Sequence, residues 1–173
     1  MRVYIPATLP ILSELAKRGE LGPGPITAYA VTPALREWYV EGDEEELEFA
    51  AMNEAARGAL RLLAADRLAP RRRVVVAAEL FDAVVTPVGT PVSRDRGLDP
   101  GQVRVDGVVA LRDVASFHVD DTGAEPAVGE AALVVAAADA GDDDARFTVD
   151  GAEDYDLLWF ATQELSHLLD DRL

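Results

Sequence analysis

Three polar residues with the side-chain types of a catalytic triad stand at alternate positions: Ser116, His118 and Asp120. Alternate residues of a strand share one face, and their positions lie about 6.5–7 Å apart. A working nucleophile and base need a hydrogen bond of about 3 Å, usually between residues on different elements. We therefore interpret the three residues as a solvated strand face, with Phe117 and Val119 buried behind it. We predict no catalytic residue in this chain, and an enzymatic role is the less favoured one.

Glu164, His167 and Asp170 recur every three residues near the C-terminus. On a helix, the positions of His167 and Asp170 are rotated by about 60° and about 120° from that of Glu164. Nitrogen and oxygen ligands in this order could hold a divalent ion. A terminal helix with an acidic outer face has the same pattern, and no second Glu-x-x-His pair is present. These residues are weak metal candidates, and we predict neither a metal ion nor another cofactor.

Aspartates cluster at residues 142–144 and at positions 150, 154 and 156. A calcium loop of the EF-hand type needs acids at alternate positions, a glycine at its sixth position and a glutamate at its twelfth. No stretch of the sequence has this order. We interpret the aspartates as solvated turns and helix caps.

Basic charge is concentrated in one segment, which we call the arginine island: Arg57, Arg61, Arg67, Arg71, Arg72 and Arg73. Guanidinium groups bind carboxylates and phosphates through paired hydrogen bonds. In an acidic protein, Arg71, Arg72 and Arg73 are the strongest candidates for binding an anion or an acidic partner. Alternatively, arginines near the end of a helix complement its dipole and pair with acidic faces.

The overall charge limits the partners that the protein can attract. Asp and Glu number 32 against 16 Lys and Arg, which gives a formal charge of −16. Such a surface repels nucleic acids and anionic membranes.

The absence of cysteine excludes disulfides, thiolate metal sites and a cysteine nucleophile. No apolar run approaches about 18 residues, and the first residues lack the apolar region of a signal peptide, so we expect a cytoplasmic protein.

Residues 43–66 form the best-specified helix of the chain, and we expect it to pack on one face of the sheet. Asp43 is a good N-cap, and Glu46 completes a capping-box pattern. Leu47, Ala51 and further apolar residues then recur at spacings of three and four, which predicts one wide apolar face. Gly58 lies inside the helix and indicates close packing of another backbone.

Strands are predicted at residues 2–5, 26–31, 74–80, 103–111, 116–119 and 157–161. Helices are predicted between several of them, and residues 142–151 fit either a strand or a helical turn. Strands separated by helices favour right-handed crossovers and parallel pairing. We predict an α+β fold in a single domain, residues 1–173: a mixed β-sheet with helices packed on it, partly parallel through β-α-β units. Residues 86–101, rich in proline, glycine and charge, are expected to form a mobile loop.

Residues 1–8, 32–38 and 157–165 together carry a resemblance: MRVYIPAT, TPALREW and LLWFATQEL. They resemble a family of small actinobacterial proteins of unknown function, and the likeness covers nearly the whole chain. The resemblance implies a bacterial cytoplasmic protein. It implies no activity, cofactor or site residue.

Two functions fit these observations. The leading one is a non-enzymatic or regulatory module that binds another protein or itself, with Trp38, Tyr39, Trp159 and Phe160 as possible anchors. The alternative is a protein that binds a small anionic ligand, or an enzyme, with a pocket near the arginine island.

Overall fold

The computed structural model describes residues 1–39, 41–88 and 99–170. In these ranges the helices are α1 (Leu9–Arg18), α2 (Pro33–Trp38), α3 (Glu44–Ala65), α4 (Glu125–Asp139), α5 (Asp143–Glu153) and α6 (Leu165–Asp170). The strands are β1 (Arg2–Ala7), β2 (Glu20–Leu21), β3 (Ile26–Tyr29), β4 (Val74–Glu79), β5 (Val85–Pro87), β6 (Gln102–Val105), β7 (Val109–Ala110), β8 (Val114–Asp120) and β9 (Leu157–Ala161). Most of the predicted loop at 86–101 lies outside the described residues, and its first residues belong to β5.

Seven strands form one sheet in the order β5-β6-β3-β1-β4-β8-β9, and β2 pairs with β7 separately. The single strand predicted at residues 103–111 is wrong, because β6 and β7 belong to different sheets. The predicted α+β class is confirmed. The predicted parallel pairing is wrong, because every strand pair in the described ranges is antiparallel. Both β3 and β4 run antiparallel to β1, so they run parallel to each other. The crossover through α2 and α3 does join parallel strands, but β1 lies between them and pairs with both.

One face of the central strands is covered by the first and last helices. Ile5 of β1 and Val76 of β4 belong to an apolar cluster with Leu12 of α1 and Leu165 of α6. All four side chains are buried. Burial of apolar surface of this kind contributes about 25 cal/mol per Å² to folding. The two ends of the chain are therefore held on the same side of the sheet.

The opposite face is covered by α3. Val75 and Ala77 of β4 point away from Val76, as alternation along a strand requires, and they cluster with Ala51 and Ala55 of α3. Small side chains on both surfaces allow the helix to lie close to the strands. The predicted packing of this helix on one face of the sheet is confirmed.

The ends and middle of α3 follow its sequence. Asp43 Oδ1 accepts a hydrogen bond from the Glu46 N–H at 2.9 Å, and Glu46 Oε2 accepts one from the Asp43 N–H at 3.1 Å. This is the predicted capping box. A Cβ atom added at Gly58 would lie 2.6 Å from Pro6 Cγ of β1, closer than real Cβ contacts come. The close approach expected at Gly58 is therefore present, and its neighbour is a proline ring.

The helices α4 and α5 form a hairpin against the C-terminal half of α3. Leu60 and Leu63 of α3 share an apolar cluster with Val128 of α4 and Val149 of α5. The segment that fitted either strand or helix is α5. Its start is capped by Asp142, whose carboxylate accepts the Ala145 N–H at 2.8 Å. This hairpin brings polar residues of α5 next to the outward side of α3.

Candidate functional site

A cavity of about 760 Å³ opens between the outward side of α3 and the α4–α5 hairpin. Polar groups dominate its walls, and we call it the polar cleft. Its walls include Asn53, Arg57 and Arg61 of α3 and Asp139, Asp150 and Glu153 of the hairpin. This is a concave polar site of the size that small ligands occupy.

Helix geometry builds both walls. Asn53, Arg57 and Arg61 recur every four residues, so they lie one above another on one side of α3. Asp150 and Glu153 are three residues apart on α5 and are likewise neighbours on one helix surface. A row of donors on α3 therefore lies opposite a row of carboxylates on α5.

A two-point ion pair holds one end of the cleft together. Arg61 Nε donates to Asp139 Oδ2 at 2.7 Å, and Arg61 Nη2 donates to Asp139 Oδ1 at 2.9 Å. The hydrogen bonds from Arg61 lower the pKa of Asp139, and the same bonds raise the pKa of Arg61. Paired geometry of this kind is strong and directional. The pair fixes the end of α4 to α3.

Arg57 is placed differently from Arg61. Its Nε lies 3.9 Å from Asp139 Oδ1, and its Nη1 lies 3.9 Å from Asp150 Oδ1 and from Glu153 Oε1. These distances exceed hydrogen-bond length. No hydrogen bond joins its guanidinium to any of the described residues, although its side chain is only 21% exposed. Arg57 thus lines the cleft with several solvent-accessible donors that make no hydrogen bond to the described residues.

Two groups that line the cleft, Glu153 and Tyr29, have raised pKa values. Burial raises the pKa of Glu153, and the positive charge of Arg57 opposes this rise. Burial likewise raises the pKa of Tyr29, which lines the cleft at the end of β3. Charges in such a partly desolvated site interact more strongly than charges on an open surface. An ionic group that enters the cleft therefore meets strengthened electrostatic contacts.

The structure divides the arginine island. Arg57 and Arg61 line the polar cleft, whereas Arg71 folds back on the end of α3. Arg71 Nη1 donates to the Leu63 carbonyl at 2.9 Å and Arg71 Nε to the Ala69 carbonyl at 2.9 Å. Carbonyls in the last turn of a helix have no partner inside the helix. Arg71 supplies a hydrogen-bond donor to the Leu63 carbonyl at the C-terminal end of α3.

Arg72 and Arg73 bind the end of β8. Arg72 Nε donates to the Asp120 carbonyl at 2.7 Å. Arg73 donates to both Asp120 carboxylate oxygens, at 2.9 and 2.8 Å, and to the Tyr155 carbonyl at 2.8 Å. The Arg73 side chain is 2% exposed. These contacts match the structural interpretation of the three arginines, and their binding of an anion or partner stays a prediction.

Ser116 and His118 are closer than strand spacing indicates. Ser116 Oγ lies 3.1 Å from His118 Nε2, because the imidazole reaches along the strand toward its neighbour. Burial, with the positive charge of Arg2, lowers the pKa of His118. The third residue is not part of the pair, since the Asp120 carboxylate binds Arg73. The predicted solvated face is wrong, because Ser116 is 5% exposed and Asp120 is fully buried. A triad needs a group that orients the histidine; the absence of a catalytic residue stays a prediction.

The metal candidates near the C-terminus do not gather around one point. Glu164, His167 and Asp170 are all exposed. Glu164 Oε2 accepts the Ala161 N–H at 2.7 Å and so caps the turn before α6. Across residues 1–39, 41–88 and 99–170, no three His, Cys, Asp or Glu side chains could share a metal ion.

Sequence reasoning missed the acidic wall of the cleft. Asp150 was interpreted as part of a solvated cluster, and Asp139 and Glu153 were not singled out. The available signal was the row of Asn53 and Arg57 on the polar side of the longest helix. What the row faces depends on where the α4–α5 hairpin docks, and local sequence does not encode that.

One comparison with known proteins gives a match. A family model described as a family of unknown function (DUF6912) matches residues 1–169. Searches of curated proteins and of solved structures find no match. Within the described residues, no helix is long and apolar enough to cross a membrane. The resemblance to a family without an assigned function is confirmed, and its actinobacterial restriction stays a prediction. The match spans nearly the whole chain, which therefore belongs to DUF6912, a family of unknown function.

Proposed function

We propose that the protein binds a small polar ligand in the polar cleft, through a carboxylate or phosphate group that contacts Arg57. One observation carries this proposal: the Arg57 side chain is only 21% exposed and lines a concave site, and its guanidinium makes no hydrogen bond to the described residues. A bound anion would accept hydrogen bonds of ordinary length from this guanidinium, whose contacts with the three carboxylates are 3.9 Å long.

The charges of the cleft restrict the size and charge of this ligand. Asp139, Asp150 and Glu153 surround the single guanidinium of Arg57. A polyanion would bring several negative groups next to these carboxylates, and the formal charge of −16 opposes its approach. The site therefore suits a small molecule with one anionic group and further hydrogen-bond donors. Nucleic acid does not meet this description.

A thermal-shift screen with carboxylates and phosphate monoesters tests the proposal, because a ligand of the folded state raises the melting temperature by mass action. We expect at least one probe, such as inorganic phosphate or glycine, to stabilise the protein. Arg57→Gln should abolish this shift, and Arg57→Lys should keep part of it. Arg112→Gln is the matched control, since Arg112 is 85% exposed.

The same screen locates the anion. If the shift persists in Arg57→Gln but is lost in Arg72→Gln, the ligand binds near Arg71–73 and the cleft assignment is wrong. If no probe shifts any of these proteins, the binding function itself is wrong.

A second candidate function is protein interaction, and the edge strand β9 favours it. This strand ends the sheet, and residues 157–161 include no charge. Trp159 is 62% exposed and Leu158 is 44% exposed. An apolar edge strand can pair with another chain. We propose it as the contact for a partner or for a second copy of this chain.

Mass measurement by light scattering after size-exclusion chromatography tests the self-association form of this candidate. We expect a dimer that Trp159→Lys converts to monomer. Phe147→Lys is the control, because Phe147 is exposed on α5. A wild-type monomer at all concentrations would exclude self-association through β9.

A further inference from the structure

A second cavity adjoins the polar cleft where the large sheet opens. Strands β1 and β3 pair at one position, Tyr4 with Tyr29. Beyond it, β1 stays paired with β4 up to Ala7, and β3 stays paired with β6 from Ile26. The two strands therefore separate. The gap contributes to a cavity of about 460 Å³, which we call the apolar pocket; among its lining residues are Ile5, Pro6, Ile11, Leu21, Ile26 and Leu62.

The two cavities share a wall. Tyr29 and Arg61 line both the polar cleft and the apolar pocket. Along α3, Arg57 and Arg61 face the cleft, while the next residue in each case, Gly58 and Leu62, lines the pocket. The apolar pocket therefore adjoins the part of the polar cleft that Tyr29 and Arg61 line.

The charged groups of the cleft restrict the charged part of a ligand. Arg61 and Asp139 are hydrogen-bonded to each other. Arg57 lies 3.9 Å from the carboxylates of Asp150 and Glu153. A carboxylate at Arg57 and an ammonium group at Asp150 or Glu153 would replace the long contacts now present. In an α-amino acid these two groups are separated by one carbon atom. The cleft thus suits adjacent opposite charges better than a lone anion.

We propose that the ligand is a zwitterion with an apolar substituent, namely a hydrophobic α-amino acid. Its charged groups bind Arg57, Asp150 and Glu153, and its side chain occupies the apolar pocket. This inference rests on the proposed binding function and names the class of ligand for the same site.

Calorimetric titration of the full chain with a matched series tests the inference: L-leucine, glycine, leucinamide and N-acetyl-leucine. Burying a leucine side chain should make leucine bind at least about tenfold more tightly than glycine. Leucinamide lacks the anion and N-acetyl-leucine lacks the cation, so each should bind at least about tenfold more weakly than leucine. Leu62→Glu should weaken leucine binding and leave glycine binding unchanged. Leu133→Glu, at a residue 74% exposed on α4, is the control.

The possible failures are distinct. Equal affinities for glycine and leucine, both lost in Arg57→Gln, would overturn the apolar pocket and leave the binding function intact. Equal affinities for leucine and N-acetyl-leucine would overturn the zwitterion. Binding of none of the four, with a carboxylate or phosphate found in the thermal-shift screen, would overturn the ligand class alone. The wild-type series decides these points even if Leu62→Glu does not fold.

Discussion

Arg57 and Arg73 come from the same basic segment, yet their guanidinium groups differ in hydrogen bonding. Arg73 is buried against Asp120, and its guanidinium donates to both carboxylate oxygens. Arg57 lies at 3.9 Å from three carboxylates and has no hydrogen bond to a described residue. A satisfied, buried ion pair contributes to the fold, whereas unsatisfied donors in a cleft are available to a ligand. Hydrogen-bond satisfaction therefore separates the two roles.

Replacing Arg73 with Met should strongly destabilise the protein. The substitution leaves the Asp120 carboxylate buried without its counter-charge, which costs about 3–5 kcal/mol for pairs of this kind. Arg72→Met removes a hydrogen bond to a carbonyl and should cost about 0.5–1.5 kcal/mol. Urea unfolding measures both free energies. Equal losses of unfolding free energy in the two variants would show that the buried ion pair contributes no more than the single hydrogen bond of Arg72.

Glu153 should make stability depend on pH. Because burial raises its pKa, the folded protein holds this proton more tightly than the unfolded chain does. Its contribution to stability is fully present below the unfolded pKa of about 4.3 and is lost as pH rises through the raised folded pKa. Glu153→Gln should reduce this fall in unfolding free energy. Leu133→Gln, at an exposed position of α4, is the control, because it introduces the same side chain without removing a titratable group.

At the scale of elements, α3 combines three surfaces. Its Ala51 and Ala55 pack on the sheet, and Leu60 and Leu63 pack on the α4–α5 hairpin. Its polar side lines the cleft. Changes that move this helix relative to β1 should therefore alter both packing and the site. Gly58 sets the distance between α3 and β1, because the absence of a Cβ atom leaves room for Pro6.

Gly58→Ala should destabilise the protein, although alanine favours helix. The gain in helix propensity is about 1 kcal/mol, while forcing a Cβ to within 2.6 Å of Pro6 Cγ costs about 1–3 kcal/mol in a packed site. Gly151→Ala on α5 is the matched control, since nothing lies within 4 Å of its added Cβ. It should stabilise the protein by about 0.5–1 kcal/mol. Thermal unfolding of both variants gives the comparison, and stabilisation by both would contradict the close approach.

For the whole molecule, charge is the dominant property. The chain has twice as many acidic as basic residues, 32 against 16. Many of its arginines are engaged in internal contacts, such as Arg61 with Asp139 and Arg73 with Asp120. Excess like charge destabilises a compact state through self-repulsion.

Added salt should therefore stabilise the protein at neutral pH. Raising the ionic strength from about 0.01 M to about 0.1 M shortens the screening length from about 30 Å to about 10 Å. We expect the melting temperature to rise over this range. Choline chloride should give the same rise as sodium chloride if screening is the cause. A falling melting temperature would mean that exposed ion pairs, which salt weakens, outweigh the repulsion.

Local sequence determined much of this protein. The capping box of α3, the helix face that meets the sheet, the β-branched strand β4 and the glycine that permits close packing all follow from residue type and short spacing. These features depend on backbone geometry and on nearest neighbours in the chain, so sequence alone predicts them. The predicted α+β class and the strand at residues 157–161 rest on the same signals.

Tertiary structure decided the pairing and the site. Strand β1 lies between β3 and β4, and this order turns an expected parallel pair into two antiparallel ones. The cleft arises because the α4–α5 hairpin brings Asp139, Asp150 and Glu153 to Arg57 across about 80 to 100 residues of chain. The arginines of one segment were visible in the sequence, but the role of each depends on its distant partners. Contacts between residues far apart in the chain are set by the packing of whole elements, which no local pattern specifies.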